Sequence, residues 1–330
     1  MNPNRSTLKT NLCVLIVDAA LVFLFAARAN ASAPATNLPP LDAPRSIPCS
    51  SPEQPVSSDV EEEGGLGAVY FGFGGVGRAD VADSSSSYAL SGFEVGASIG
   101  PVGASFKRLS FDWNQPADFL PAARGDEPWR NLDEASVSLS WGGPLVDQIS
   151  YLLLGGASLG YEDQTDDAYS LFGGGIVAIQ MSSNWSASAG AILSHHPKVS
   201  TDLDFVPVLG AAWRADAPRG LSLSLGIPST EIAWTFRPGT RIVLDMSSFE
   251  GGLYRLADDN PLRPAGYVEL LNSSLALRAE TLLWNRLGLS FGFVQALDRK
   301  FKTYDPDGKN EKSYDVDNAS GFIASVSLDF

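Results

Sequence analysis

The chain has 330 residues and a formal net charge of −15, with 38 acidic against 23 basic side chains. Removing residues 1–31 makes the balance more negative still, because that segment carries Arg5, Lys9 and Arg28 against Asp18 alone. This argues against nucleic acid or another polyanion as partner.

The chain opens on Met1–Thr10, which carries Arg5 and Lys9 and no acid, followed by the mostly apolar Leu12–Ala27. Small residues at Ala29-Asn30-Ala31 complete the pattern of an export signal cut after Ala31. The apolar run is shorter than the ~20 residues of a spanning helix and is broken by Asp18. Residues 1–31 are therefore expected to be a signal peptide. Residues 32–64, rich in Pro, Ser and Ala, are expected to be a disordered linker, and 65–330 the folded domain. Cys13 lies in the signal and Cys49 in the linker, so the exported chain has no internal disulfide to form. Cys49 lacks the apolar setting of a lipid-attachment site.

From Leu66 onward, short runs alternate apolar and polar residues between Gly, Pro, Asp and Asn clusters. Strands are predicted at 66–76, 88–99, 104–113, 133–141, 149–161, 168–181, 185–195, 203–213, 220–227, 231–237, 240–257, 266–282, 286–297 and 318–330. The connections alternate between long and short. This is the layout of an all-β, transmembrane, antiparallel up-and-down barrel with loops on its outer rim and turns on its inner rim. The count is about fourteen. The brief connection at 228–230 and the long 240–257 segment leave twelve open. A phase slip between Leu270 and Leu275 predicts a bulge near Asn272–Ser274. Trp113, Trp141, Trp185, Trp213 and Trp234 are expected on the apolar face, four of them at strand ends, as an interfacial girdle would have them.

The final strand places Phe322, Ala324, Val326, Leu328 and Phe330 on one side and Ser325, Ser327 and Asp329 on the other. An amphipathic strand that ends the chain on an aromatic resembles the C-terminal sorting signal of bacterial outer-membrane barrels, carried here by Phe322, Val326, Leu328 and Phe330. Gly220-Leu-Ser-Leu-Ser-Leu-Gly-Ile-Pro228, Ile232-Ala-Trp-Thr-Phe236 and Phe249-Glu-Gly-Gly-Leu-Tyr-Arg255 are similar to a bacterial family of unknown function. So is Gly292-Phe-Val-Gln-Ala-Leu-Asp-Arg299 with Tyr304-Asp305. That family is presumed to consist of outer-membrane β-barrels. The resemblance implies a barrel, and no reaction or catalytic residue.

Charges that alternate with the apolar faces are expected in the lumen, since a lipid-facing Arg at mid-depth costs about 2–4 kcal/mol. They are Glu94, Arg108, Asp112, Asp204, Arg214, Glu231, Arg237, Arg241, Asp245, Arg278, Glu280 and Arg286. His195 and His196, the only histidines, end a strand and are read as a rim-exposed pair; Ser194 points the other way and supplies no catalytic partner. Asp305-Pro-Asp-Gly308 has its Gly too early for a calcium loop, which favours a plain surface turn. Acid clusters at Glu162–Asp167 and Asp258–Asp259 are expected in outer loops, as solvated charge or as bridges to lipopolysaccharide through divalent ions.

These readings lead to a non-enzymatic outer-membrane channel or transporter for small solutes, with no cofactor and no metal. Its expected partners are outer-membrane lipid, lipopolysaccharide and the barrel-assembly machinery. A non-conducting structural or surface-interaction barrel is the alternative, and an outer-membrane lipid hydrolase a more distant third.

Overall fold

The computed structural model describes residues 67–116, 127–215 and 219–330. The expected signal peptide (1–31) and linker (32–64) lie outside the described residues. Leaving the inner rim, the strands run in hairpins: β1 (Gly67–Asp80) and β2 (Ser87–Ile99), β3 (Val102–Asn114) and β4 (Asn131–Val146), β5 (Ile149–Tyr161) and β6 (Tyr169–Gln180). There follow β7 (Trp185–His195), β8 (Phe205–Arg214), β9 (Gly220–Ile227), β10 (Ser229–Arg237), β11 (Thr240–Arg255), β12 (Tyr267–Leu283) and β13 (Leu287–Tyr304). The last two segments, β14 (Lys312–Val316) and β15 (Ala319–Asp329), both pair with β13 and are two pieces of one barrel strand interrupted at Asp317-Asn318.

Each strand pairs antiparallel with its sequence neighbour, and β15 pairs with β1 to close the ring. The wall therefore has fourteen strands, and the count of twelve falls away. Closure is what lets a sheet stand in hydrocarbon, where an unpaired strand edge has no water to bind. The two doubtful places are both real. Pro228 alone connects β9 to β10, and β11 is a single strand of 16 residues. Inner turns are short because residue types suited to them sit there. In Pro238-Gly239, the Gly takes φ 75°, a left-handed value that a glycine reaches without steric cost.

Over most of the wall, the alternation puts apolar side chains outside. Leu139, Trp141, Leu153, Leu171, Leu193, Leu209, Leu225, Trp234, Leu244, Leu277, Phe291 and Val326 are all exposed. In the outer part of β1–β4 and β11–β15, the polarity inverts. There Tyr88, Phe111, Trp113, Trp129, Leu132, Tyr254, Leu256, Val268 and Phe301 form one buried apolar cluster inside. Charges such as Arg78, Arg108 and Asp112 stand outside it. The lower wall thus follows the rule for a barrel in lipid, and this upper part the rule for a barrel in water.

This inversion explains the phase slip in β12. The even-numbered residues from Val268 to Glu280 keep one face throughout, so β12 itself has no bulge there. The extra residues lie in its neighbours: Ser248-Phe249 in β11, where Phe249 takes φ 62°, and around Asp298 in β13, φ 47°. The apolar identity switches faces at 270–275 because the surroundings change.

Above its bulge, β11 stops pairing with β10 and crosses to the far wall. Arg255 pairs parallel with Tyr161 of β5, and the Glu162 amide donates to the Arg255 carbonyl at 2.9 Å. Gly160 makes room for this crossing, since a Cβ there would stand 2.2 Å from the Leu253 carbonyl oxygen. Arg at Leu277, exposed mid-wall opposite Leu244 and Phe293, is expected to cost about 2–4 kcal/mol in urea unfolding from lipid vesicles. Ser188→Arg, on the inward face of β7, is expected to cost under about 1 kcal/mol; equal costs would show that hydrocarbon does not cover the Leu277 face.

Candidate functional site

The inward face of β10–β12 carries a connected ionic network. Arg241 and Glu280 are cross-strand partners and meet at 2.8 Å (Nε to Oε2), while Glu231 lies 3.5 Å from Arg241 Nη1. Arg278 bridges Glu280 at 2.8 Å and Asp245 at 3.0 Å. Its side chain is 3% exposed, so its two carboxylates offset the cost of taking its charge out of water. On the facing strands, Lys107 Nζ stands 2.8 Å from Glu134, which also accepts a hydrogen bond from Tyr254 at 3.2 Å. Tyr70 donates to Glu94. Glu250 has neutral donors, Asn272 and Ser274, each at 2.7 Å. Arg299 donates to the Asp317 carbonyl and lies 5.0 Å over the Tyr88 ring. A cavity of about 150 Å³ beneath the apolar cluster is lined by Leu90, Glu94, Lys107, Glu250, Arg278 and Arg299, among others.

Of the twelve charges expected in the lumen, the structure brings Glu231, Arg241, Asp245, Arg278 and Glu280 into one network and places Glu94 across from it. Arg214 and Arg237 end β8 and β10 at the inner rim, where Arg237 donates to Thr240 at 3.1 Å. Four lie elsewhere. Arg108 and Asp112 point outward, because Lys107, Leu109, Phe111 and Trp113 occupy the inner face of β3. Arg108 forks onto Asp133 at 2.7 and 2.6 Å, and Arg78 bonds Asp112. Asp204 caps its own loop through Ser200 and Thr201. Arg286 sits in the turn after β12. Trp113 likewise faces the interior cluster rather than a girdle, donating to the Trp129 carbonyl at 2.8 Å. Trp141, Trp185 and Trp234 are exposed on the outer face. Phe322, Val326, Leu328 and Phe330 are exposed on one side of the closing strand, and the Phe330 and Gly67 backbones exchange two 3.0 Å bonds.

Sequence reasoning missed Lys107, Glu134, Glu250 and Arg299. Lys107 and Arg108 are adjacent, so only one of them can face inward. The clue lay in Leu109, Phe111 and Trp113, which share the phase of Lys107 and oppose Phe106.

The loops above the network are tied down. His196 is buried, not rim-exposed. Its Nδ1 accepts from the amides of Lys198 at 3.3 Å and Val199 at 3.2 Å, so its Nε2 carries the proton and donates to the Asp167 carbonyl at 3.1 Å. A His spent on the backbone in this way has no freedom to act as a base. Burial holds its imidazole below the ordinary range. Lys198 pairs with Asp167, and its hydrogen bond lowers that carboxyl. Asp202 reaches Lys302 at 2.8 Å and Lys300 at 3.4 Å. Within the acid clusters, Glu162 is turned inward and binds the Ala257 amide and Asn260, and burial raises its carboxyl. Asp258 pairs with Arg255. Asp305 spends its carboxylate on Asp307, Lys309 and Asn310 within its own turn.

No protein-family model matches the chain, and no curated protein matches it. Among solved structures, the chain is similar to the KdgM porin in complex with disordered oligogalacturonate. Identity is 7% and the TM-score 0.35, over 79% of this chain and 99% of that one. The NanC porin gives 8%, 0.36, 79% and 100%, and an outer membrane channel from Pseudomonas putida F1 gives 8%, 0.39, 83% and 100%.

Arg278→Met removes the cation shared by two buried carboxylates and is expected to destabilise the barrel by about 3–5 kcal/mol in urea unfolding. For His196, the folded value lies below the unfolded one. Its stabilisation is therefore complete above the ordinary imidazole range and lost as pH falls through the lowered value. Hydrogen exchange at the Lys198 and Val199 amides, corrected for intrinsic rate, is expected to accelerate across that interval and to show no such step in His196→Phe.

Proposed function

We propose that the protein is a narrow outer-membrane channel for small solutes. The observation that carries this reading is the two-sided wall: an apolar outer face around an interior in which Glu231, Arg241, Asp245, Arg278 and Glu280 sit beside a cavity. A purely structural barrel would have no need to hold mixed charge inside, where desolvation offsets much of what pairing returns. The network sets which ions pass, and the cavity sets how large a solute is admitted.

The segments that resemble the family of presumed outer-membrane barrels fall on β9, β10, the outer half of β11 and the outer part of β13. Residues 1–31 as an export signal, Phe322–Phe330 as a signal to the assembly machinery, and outer-membrane lipid and lipopolysaccharide as surroundings belong to the same reading. We read the protein as non-enzymatic.

The alternative, a barrel that conducts nothing, is favoured by the dry cluster that fills part of the outer mouth. Single-channel recording of the refolded protein in potassium chloride separates the two. Small, discrete openings are expected, and Arg241→Glu should move the reversal potential toward cation selectivity. A bilayer closed at every voltage would remove the channel and leave the interaction barrel.

A further inference from the structure

The wall of this barrel is not equally high all round. β9 and β10 have 8 and 9 residues and meet at Pro228, whereas β11, β12 and β13 have 16, 17 and 18. Pairing between β8 and β9 begins at Leu209 with Ile227, so Phe205–Val208 rise above the hairpin tip with no partner on that side. On the other side, Ser229 pairs with Ser247, and from Phe249 to Arg255 β11 continues without β10. Two strands are thus missing from the upper wall between β8 and β11. At ~4.8 Å between strands, the break is about 14 Å wide.

The bend of β11 widens this break, because its outer half leans away across the mouth to Tyr161. The loop 196–204 passes above it: Val199 packs with Tyr267, Tyr304 and Leu253, and Asp202 binds Lys302. The break is therefore a window, with Ile227-Pro228-Ser229 as its sill, β8 and β11 as its sides and the loop as its lintel. The sill stands about eight strand residues above the inner turn. With a rise of ~3.3 Å per residue and a tilt of ~40°, that is about 20 Å, near the top of a belt of ~25 Å. At that height, free backbone groups meet headgroups and water rather than tails.

Its chemistry is apolar on both surfaces. Outward, Phe205, Ile227 and Phe249 are exposed around it. Inward, the neighbouring wall carries Phe172, Ile176, Ile192, Val206 and Val208, in contrast to the charged face of β10–β12. The axial exit next to it is partly filled by the apolar cluster.

We infer that this window between β8 and β11 is a lateral passage between the lumen and the outer leaflet for small uncharged apolar molecules. The inference rests on the channel reading and names a second class of solute for the same lumen. An ion follows the charged face, and an apolar molecule follows β6–β8 to the sill.

The test is entry of the apolar fluorophore N-phenyl-1-naphthylamine into intact cells producing the protein, against cells without it. Lengthening the β9–β10 hairpin by four residues should rebuild the missing wall, lowering entry at least about fivefold while potassium chloride conductance persists. Val206→Asp, which places a charge on the inner approach, should lower entry as well, with folding verified by heat-modifiable migration. Entry no faster than in cells without the protein, or unchanged in both folded variants, overturns the window and leaves an ion channel standing. Entry that responds to both variants in a protein that never conducts ions supports the window and removes the ionic path.

Discussion

Every level of this structure depends on which solvent meets each face of a strand. A β-strand offers two faces and no way to rotate one residue independently of the next, so the alternation commits the whole segment. In the lower wall, hydrocarbon takes the apolar face, and the polar face must be satisfied inside. In the upper part of β1–β4 and β11–β15, water takes the outside, and the apolar side chains turn in to form a core like that of a soluble protein. Strands such as β3 and β12 cross from one regime to the other without changing their handedness or losing their pairing. They change only which residue types occupy each face.

The consequences for the lumen are energetic. A charge taken from water loses several kcal/mol of solvation, which a single partner in good geometry recovers only in part. The structure answers by sharing: Glu280 binds two arginines, Arg278 binds two carboxylates and Arg241 binds Glu280 and Glu231, so the central members of that network each have more than one partner. The residues involved share one face of adjacent strands, Arg241 directly opposite Glu280 and the others offset along the strands, so closing the sheet assembles the network without any loop. Glu250 follows another solution, held by neutral Asn272 and Ser274 at the place where the bulge of β11 turns it inward.

The same bulge ties the interior to the mouth. Phe249 sits in the left-handed region, an uncommon conformation for a bulky residue, and there β11 leaves β10. One irregular step thus turns the strand across the barrel, brings Tyr254 and Leu256 onto the aromatic cluster and leaves the wall low between β8 and β11. Glu162 and Asn260 then fix the crossing segment to the far wall.

The period-2 pattern was enough to read fourteen antiparallel strands, long outer and short inner connections, the outward aromatic strand at the C-terminus and the inward charges of β10–β12. These are local properties: alternation and turn residues depend on neighbours in the chain. Arg108, Asp112, Trp113 and His196 were misread for the opposite reason. Polarity identifies two faces but not which solvent each will meet, and that depends on the height of a residue above the membrane and on what folds over it. Where β3 leaves the hydrocarbon, the sign of the rule reverses, and within β3 only the change of phase from Phe106 to Leu109, Phe111 and Trp113 marks the place. His196 is buried because loop 196–204 packs onto Tyr267 from a strand 71 positions later, a contact that exists only once the barrel has closed. The apolar cluster, the crossing of β11 and the missing wall above Pro228 arise in the same way, from registers between strands rather than from any residue alone.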